Sequence, residues 1–226
     1  MTPAENDSRT EGRNCMPLYR NGDKVILFVH IPKTGGSTVE EVLKAAGAPQ
    51  ALKYHKRLGY SNATPQHMHW EVLKHWLPAG FYDYAFAVVR HPMARMVSEY
   101  RWRRVLTKTR ELPDFDTWVR RQLKRYGEDS FILDNHIRPQ GEFIGARVEV
   151  FRLEDGLESP VRAGLEHLGL DTEALEIHHA RKSERDTLSA TEQTLQRIRK
   201  FYAADFERFG YDPEQLPKDL QISSPA

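Results

Sequence analysis

The junction between residues 24 and 46 constrains this chain most. Lys24 opens the run Val25-Ile26-Leu27-Phe28-Val29, which is β-branched and aromatic and bounded by polar residues. Such a run suits a strand buried on both faces of a parallel sheet. The loop His30–Gly36 follows, and Ser37–Ala46 then reads as a helix, with Val39, Val42 and Leu43 on one face and Gly47 as its stop. Within the loop, Gly35 and Gly36 permit a tight turn and remove Cβ atoms that would hold a ligand away. The amide groups of a helix N-terminus converge just beyond them, where the dipole favours negative charge. Lys33 adds a mobile cation and Ser37 and Thr38 add hydroxyl donors, so Lys33–Thr38 is a candidate phosphate or sulfate cradle.

The order of residues separates this loop from the Walker pattern, in which Lys follows the last glycine and directly precedes Ser/Thr. Here Lys33 precedes the glycines. That disfavours ATP hydrolysis, while a nucleotide-dependent phosphotransferase stays as an alternative.

A second strand–loop–helix repeats the plan. Tyr84–Val89 reads as a buried strand, Arg90-His91-Pro92 ends it, and Met93, Met96, Val97 and Tyr100 mark one helix face. Pro92 fits the first helical turn, where its missing N–H costs nothing. Arg90 and Ser98 are candidate grips on a second anion, because ligands of open α/β sheets collect at the carboxyl ends of strands. A third strand is expected at Val148–Phe151, with helices at about 69–77, 115–126 and 160–169, and a last one starting at Ser189 with Glu192 completing a capping box. Strands alternating with helices argue for a three-layer α/β fold with a mainly parallel sheet. Residues 1–23 read as a disordered tail, 24–215 as a single domain and 216–226 as a C-terminal tail.

Composition narrows the function classes. Lys+Arg is 33 against Asp+Glu 32, a net charge of +1, so a general nucleic-acid binder is not expected. The one cysteine, Cys15, excludes an intrachain disulfide framework. No apolar run approaches the roughly 20 residues of a membrane span, and no secretory signal is visible, so a cytoplasmic protein is expected. Charge is uneven, however. Residues 90–125 carry eleven Lys/Arg against four Asp/Glu. This is either a solvated helix face or a groove for an anionic glycan, with Trp102 and Trp118 to stack on sugar rings and Lys53, Lys56 and Arg57 extending it. A non-catalytic polyanion-binding module would carry the same charge.

His67-Met68-His69 lies between the two strand–loop–helix units, just before the apolar-periodic segment Val72, Leu73, Trp76, Leu77. A positioned neutral imidazole is a suitable general base near pH 7. A metal pair awaiting a further ligand, or a plain surface pair, are the other readings.

Ile31–Thr38 resembles the 5′-phosphosulfate loop of carbohydrate-type sulfotransferases, the group that includes heparan sulfate 2-O-sulfotransferase. Val88-Val89-Arg90-His91-Pro92, with Arg95 and Ser98-Glu99-Tyr100, resembles that family's 3′-phosphate motif, with His91 where the family commonly has Asp. The resemblance runs from about residue 24 to 211 and implies a P-loop-like fold. It implies a co-substrate, 3′-phosphoadenosine 5′-phosphosulfate (PAPS), leaving as the bisphosphate PAP, a hydroxyl acceptor on a carbohydrate, and no metal. By the resemblance, Lys33–Thr38 hold the phosphosulfate, and Arg90 and Ser98 the 3′-phosphate. His69 is then the base and His67 a helper or acceptor contact. Arg138 and Gln140 are implied as nucleotide or acceptor contacts, although a polar turn before a strand accounts for them equally, and Lys182 as a further nucleotide contact. Tyr202, Asp205, Phe209, Gly210 and Tyr211 resemble the family's C-terminal ending and read as packing.

Overall fold

A computed structural model describes residues 18–51, 62–107, 112–173, 177 and 186–223. Its centre is a five-stranded sheet in the order β3-β1-β2-β4-β5, formed by β1 (Leu18–Asn21), β2 (Lys24–Val29), β3 (Gln50–Ala51), β4 (Tyr84–Val89) and β5 (Glu149–Arg152). β2, β4 and β5 pair in parallel, with Val29 opposite Ala87 and Val89 opposite Arg152, whereas β1 runs against both its neighbours. Both predicted apolar runs are therefore central strands, and the third strand lies one residue beyond its expected position. The chain is a mixed α/β protein.

The alternation of each strand builds two cores. Ile26, Phe28, Phe86 and Val88 face one side, where they meet Val39 and Leu43 of α1 (Gly36–Ala45) and, across the chain, Val161 and Leu165 of α5 (Glu158–Leu168). Leu27, Val29, Ala87 and Val89 face the other. That layer is larger and holds α2 (Trp70–Trp76), α3 (Pro92–Leu106), α4 (Phe115–Glu128), α6 (Glu192–Phe201) and α7 (Ala203–Phe209). Met93, Met96, Val97 and Tyr100 are all buried there, as the helical spacing required. Trp118 is buried too, which removes it from any sugar-stacking surface.

Three expectations need correction. Leu18–Asn21, assigned to an N-terminal tail, is a strand of the central sheet, with Leu18 opposite Leu27 and Tyr19 opposite Ile26. Residues 1–17 lie outside the described residues. Leu220–Ile222, assigned to a C-terminal tail, is β7 and pairs in parallel with β6 (Leu188–Ala190). Because Ser189 sits in that strand, the cap of α6 is Thr191, whose hydroxyl accepts from Thr194 N, and not Ser189. Among the described residues, no helix is long and apolar enough to cross a membrane.

Phe86 ties the middle of the sheet to its first layer. It has no exposed surface and packs on Phe28 at 5.0 Å between ring centroids and on Phe151 edge-on at 6.3 Å. A Cβ at Gly164 of α5 would meet this ring at 3.3 Å, so the helix approaches closely because that residue is glycine. Phe86→Ala should cost about 3–5 kcal/mol, read as a lowered urea midpoint at unchanged slope.

Candidate active site

The site is assembled at the carboxyl ends of β2 and β4. After Val29 the chain enters the loop, where Lys33 takes φ 70° and Gly35 φ 87°. Gly35 is the N-cap of α1 and has no side chain to satisfy the first-turn amides. Thr38 N and Val39 N donate back to Gly35 O, whereas the amides of Gly36 and Ser37, ahead of them, have no intrahelical carbonyl to reach. Ser37 is exposed and Thr38 half-buried. Thr34 is fully buried, and its hydroxyl donates to Ile31 O at 2.8 Å, so that hydroxyl braces the loop from within.

Gly36 is required by a neighbour. A Cβ there would stand 2.5 Å from His30 Nε2 and 2.6 Å from its Cδ2. The His30 ring is fixed beneath the turn by Glu40 on α1, whose Oε1 lies 2.7 Å from Nδ1, and both residues are buried.

Arg90 meets this loop directly. Its Nη1 donates to Lys33 O at 3.3 Å, so the two motifs are in contact. Gln140 clamps the Arg90 backbone from both sides: Oε1 accepts from Arg90 N at 2.9 Å, and Nε2 donates to Arg90 O at 2.8 Å. Asp205 on α7 in turn accepts from the amides of Gln140 and Gly141. Gln140 is thus a brace behind Arg90. Ser98 is half-buried two turns along α3 from the Pro92 start. Lys33 Nζ lies 4.7 Å above the Trp102 ring, which puts that indole beside the loop. Lys182, with Arg181 and Ser183, and Lys53, Lys56 and Arg57 lie outside the described residues.

Arg95 locks the loop to the rest of the site. It is 1% exposed, and its three nitrogens donate to Pro32 O, Arg138 O and His136 O at 2.8–2.9 Å. Arg138 is itself buried. It donates to Asn135 Oδ1, to Ser130 and to Glu142, and it faces the Phe131 ring at 5.0 Å.

His91 is the N-cap residue of α3. Its Nε2 lies 3.0 Å from Asp212 O, its amide donates to Glu154, and its ring stands edge-on to Phe206 and Tyr211. The imidazole is accommodated as packing, with Glu154 held in addition by the Tyr211 hydroxyl at 2.8 Å.

Both histidines of His67-Met68-His69 are buried, at 5% and 8% exposure, which removes the surface-pair reading. His67 stands edge-on between His30 and His136, at 5.3 and 4.7 Å between ring centroids. Each of the three imidazoles has its own carboxylate: Glu40 for His30, Asp134 for His67 at 2.7 Å, and Glu99 for His136 at 2.7 Å. His69 points elsewhere, against Phe131 at 5.5 Å, and its buried Nδ1 has no partner among the described residues. Burial pushes the His67 pKa down to about 3, and burial together with the Arg138 charge lowers that of His69. Hydrogen bonds from His67 and Thr64 hold Asp134 well below the usual carboxylate range against the opposing effect of burial.

His67, Asp134 and His136 bring one donor atom each within 4.8 Å of one another, the spacing a metal would need. Asp134 accepts from Thr64 N, Thr64 Oγ1 and His67 Nδ1, and His136 Nδ1 lies on Glu99, so each of these two rings meets a carboxylate through Nδ1.

The basic stretch is only partly an outward face. Arg95 is buried, Arg101 is paired with Asp219, and Arg103 with Glu99, while Arg104, Arg120, Arg121, Lys124 and Arg125 are exposed. Asp134, His136, Glu99 and the His30–Glu40 pair are site features that motif reasoning missed. The available signal was a carboxylate on the apolar stripe of its helix, for Glu40 beside Val39 and Leu43 and for Glu99 beside Met96 and Tyr100.

The carboxyl ends of two adjacent parallel strands thus carry a glycine turn with Lys33 and Arg90, and buried imidazoles pack beneath that turn. Residues 16–212 match the family described as the sulfotransferase family. The chain belongs to that family and is an enzyme of sulfuryl transfer. Neither a curated protein nor a solved structure matches it.

The buried imidazoles dictate a pH response. His67 binds a proton in the unfolded chain below its ordinary value of 6.5 but in the folded protein only near 3. The unfolded state therefore holds more protons across that interval, so stability falls as pH drops through it. His69 acts in the same direction, and Asp134 and Glu99, both lowered, add their loss at more acid pH. Urea unfolding between pH 7.5 and 4.5 should show a falling midpoint, and His67→Gln should flatten that slope while lowering the plateau.

Proposed function

We propose that this enzyme transfers the sulfuryl group of PAPS to a hydroxyl of a carbohydrate, with His69 as general base and without a metal. The observation that carries this reading is the hydrogen bond from Arg90 to the Lys33 carbonyl, 3.3 Å long. It brings Arg90 against the Lys33 loop, which supports a nucleotide phosphorylated at both its 5′ and 3′ ends. PAPS supplies an activated sulfuryl group on a phosphate leaving group. Lys33, with the first-turn amides of α1, holds the phosphosulfate and stabilises the charge that develops on the bridging oxygen as the S–O bond breaks. Thr34, Gly35, Gly36, Ser37 and Thr38 complete that cradle through backbone and hydroxyl groups. Arg90 and Ser98 hold the 3′-phosphate. The acceptor oxygen forms the new S–O bond, and its proton goes to His69.

Physical chemistry favours His69 over His67 for that proton. A base whose pKa lies near 3 grips a proton too weakly to assist near neutrality, which counts against His67. His67 has its Nδ1 committed to Asp134, while the Nδ1 of His69 is unpartnered. The exposed Arg104, Arg120, Arg121, Lys124 and Arg125 would serve an anionic glycan. Lys182 is proposed as a further nucleotide contact.

Lys33→Ala should lower the rate of labelled sulfate transfer about 100- to 1000-fold, the usual effect of deleting a donor to a developing oxyanion, and weaken PAP binding in calorimetry. His69→Ala should lower transfer about 100-fold or more with PAP affinity within about threefold. Binding of ATP–Mg²⁺ in preference to PAP in EDTA would instead favour a phosphotransferase. Polyanion binding that falls steeply with salt, without transfer, would favour a non-catalytic module.

A further inference from the structure

The segment that faces the His67–His69 turn has an unusual backbone. Leu133, Asp134 and Asn135 are consecutive, none is glycine, and their φ values are 54°, 59° and 63°. Apart from Lys33 in the anion loop, they are the only non-glycine residues of positive φ among the described residues. L-residues resist this conformation, and such segments persist only where surrounding contacts hold them.

Those contacts converge on one target. Asp134 Oδ1 accepts from Thr64 N at 2.6 Å, and its Oδ2 accepts from Thr64 Oγ1 at 2.6 Å and from His67 Nδ1 at 2.7 Å. Asn135 Nδ2 donates to His67 O at 2.8 Å, and Asn135 Oδ1 accepts from Arg138 Nε. Leu133 O accepts from Arg103, whose partner Glu99 also holds His136. The left-handed turn thus grips the Thr64–His67 turn at four points, immediately before His69.

An ionised carboxylate only accepts hydrogen bonds, so His67 must donate from Nδ1, and in a neutral ring Nε2 is then left without a proton. The groups facing His67 are Asp134, Thr64, His30 and His136, with Glu40 and Glu99 engaged by the last two.

We propose that Asp134, presented by the left-handed turn Leu133–Asn135, is a positioning residue of the transfer reaction. It fixes His67 as the Nδ1–H tautomer, so that Nε2 can only accept a hydrogen bond, and it holds the Thr64–His67 turn that leads into the base. This rests on the sulfotransferase reading given above. The role is one of orientation, by the same logic by which a carboxylate behind an active-site imidazole fixes its tautomer.

Asp134→Asn tests the idea with little change of shape. Its amide oxygen can keep the bond from Thr64 N, which leaves the NH₂ facing His67 Nδ1, and the ring must then carry its proton on Nε2. We expect kcat for sulfate transfer to fall about 10- to 100-fold, with PAP affinity within about twofold. In ¹⁵N-histidine NMR at pH 7.5, the His67 signals, assigned by their loss in His67→Gln, should be those of Nδ1–H in the wild type and Nε2–H in the variant. The wild-type spectrum decides even if the variant fails to fold, because an Nε2–H or doubly protonated His67 there would overturn the proposal. Retention of wild-type kcat by a folded Asp134→Asn would do the same. A wild type that binds no PAP would sink the nucleotide reading itself, while one that binds PAP but shows the wrong tautomer sinks only the role given to Asp134.

Discussion

The site depends on a buried guanidinium. Arg95 has lost almost all contact with water, a cost that an unpaired charge could not bear in an α/β core. Its three donating nitrogens each find a main-chain carbonyl: Pro32 in the anion loop, and His136 and Arg138 in the segment that follows α4. Carbonyl oxygens are polar without being ionised, so the charge is solvated by the backbone itself. Two loops remote in sequence are thereby fixed to one helix by a planar group of set geometry. Gln140 repeats the arrangement one layer outward by bonding both backbone groups of Arg90, and Asp205 holds Gln140 in place. The loop, the Arg90 strand end and the histidine segment are therefore held in mutual register by α3 and α7.

The histidines are organised by the same economy. Three imidazoles in line would repel if all were charged, and each is instead backed by one carboxylate. For His67 burial outweighs its carboxylate, and the ring stays neutral over the physiological range. His30 and Glu40 have a second consequence. The imidazole beneath the turn fills the space that a side chain at position 36 would need, so the second glycine of the loop is dictated from below. The floor of the cradle and the first imidazole of the cluster are the same residue.

How far this was legible in the sequence varies by element, for physical reasons. The runs 25–29 and 84–89 were readable because strands buried on both faces must be continuously apolar, and the loop after each was readable because glycine and proline punctuate it. Leu18–Asn21 was not, since an edge-proximal strand of four residues needs only Leu18 and Tyr19 to be apolar and is defined by pairing with β2. Ser189 and Glu192 form a plausible capping box, but Thr191 and Thr194 offer a cap two residues later, and the pairing of 188–190 with 220–222 selects it. Of the candidate site residues, Arg90 bonds to the Lys33 carbonyl, and Arg138 and Gln140 make hydrogen bonds within the protein. The left-handed turn at 133–135 has no glycine to announce it. Long-range hydrogen bonds to Thr64 and His67 make it, and these leave no local trace.

That turn also explains why two similar histidines, two residues apart, are chemically unlike. Residue 67 ends a short 3₁₀ turn, Pro65–His67, whose N-cap Thr64 is tied to Asp134 through both its amide and its hydroxyl, and its ring lies inward against His30 and His136. Residue 69 is extended at φ −79° and ψ 166°, serving as the N-cap of α2, and its ring is turned onto Phe131 instead. Phe131 also carries the Arg138 guanidinium, whose charge opposes protonation of His69. Asn135 binds both the His67 carbonyl and Arg138, so a single side chain couples the inward ring to the cation that tunes the other. Moving His67 would require the left-handed turn to move with it, and Arg95 holds the carbonyls of His136 and Arg138, just beyond that turn, to the Pro32 carbonyl.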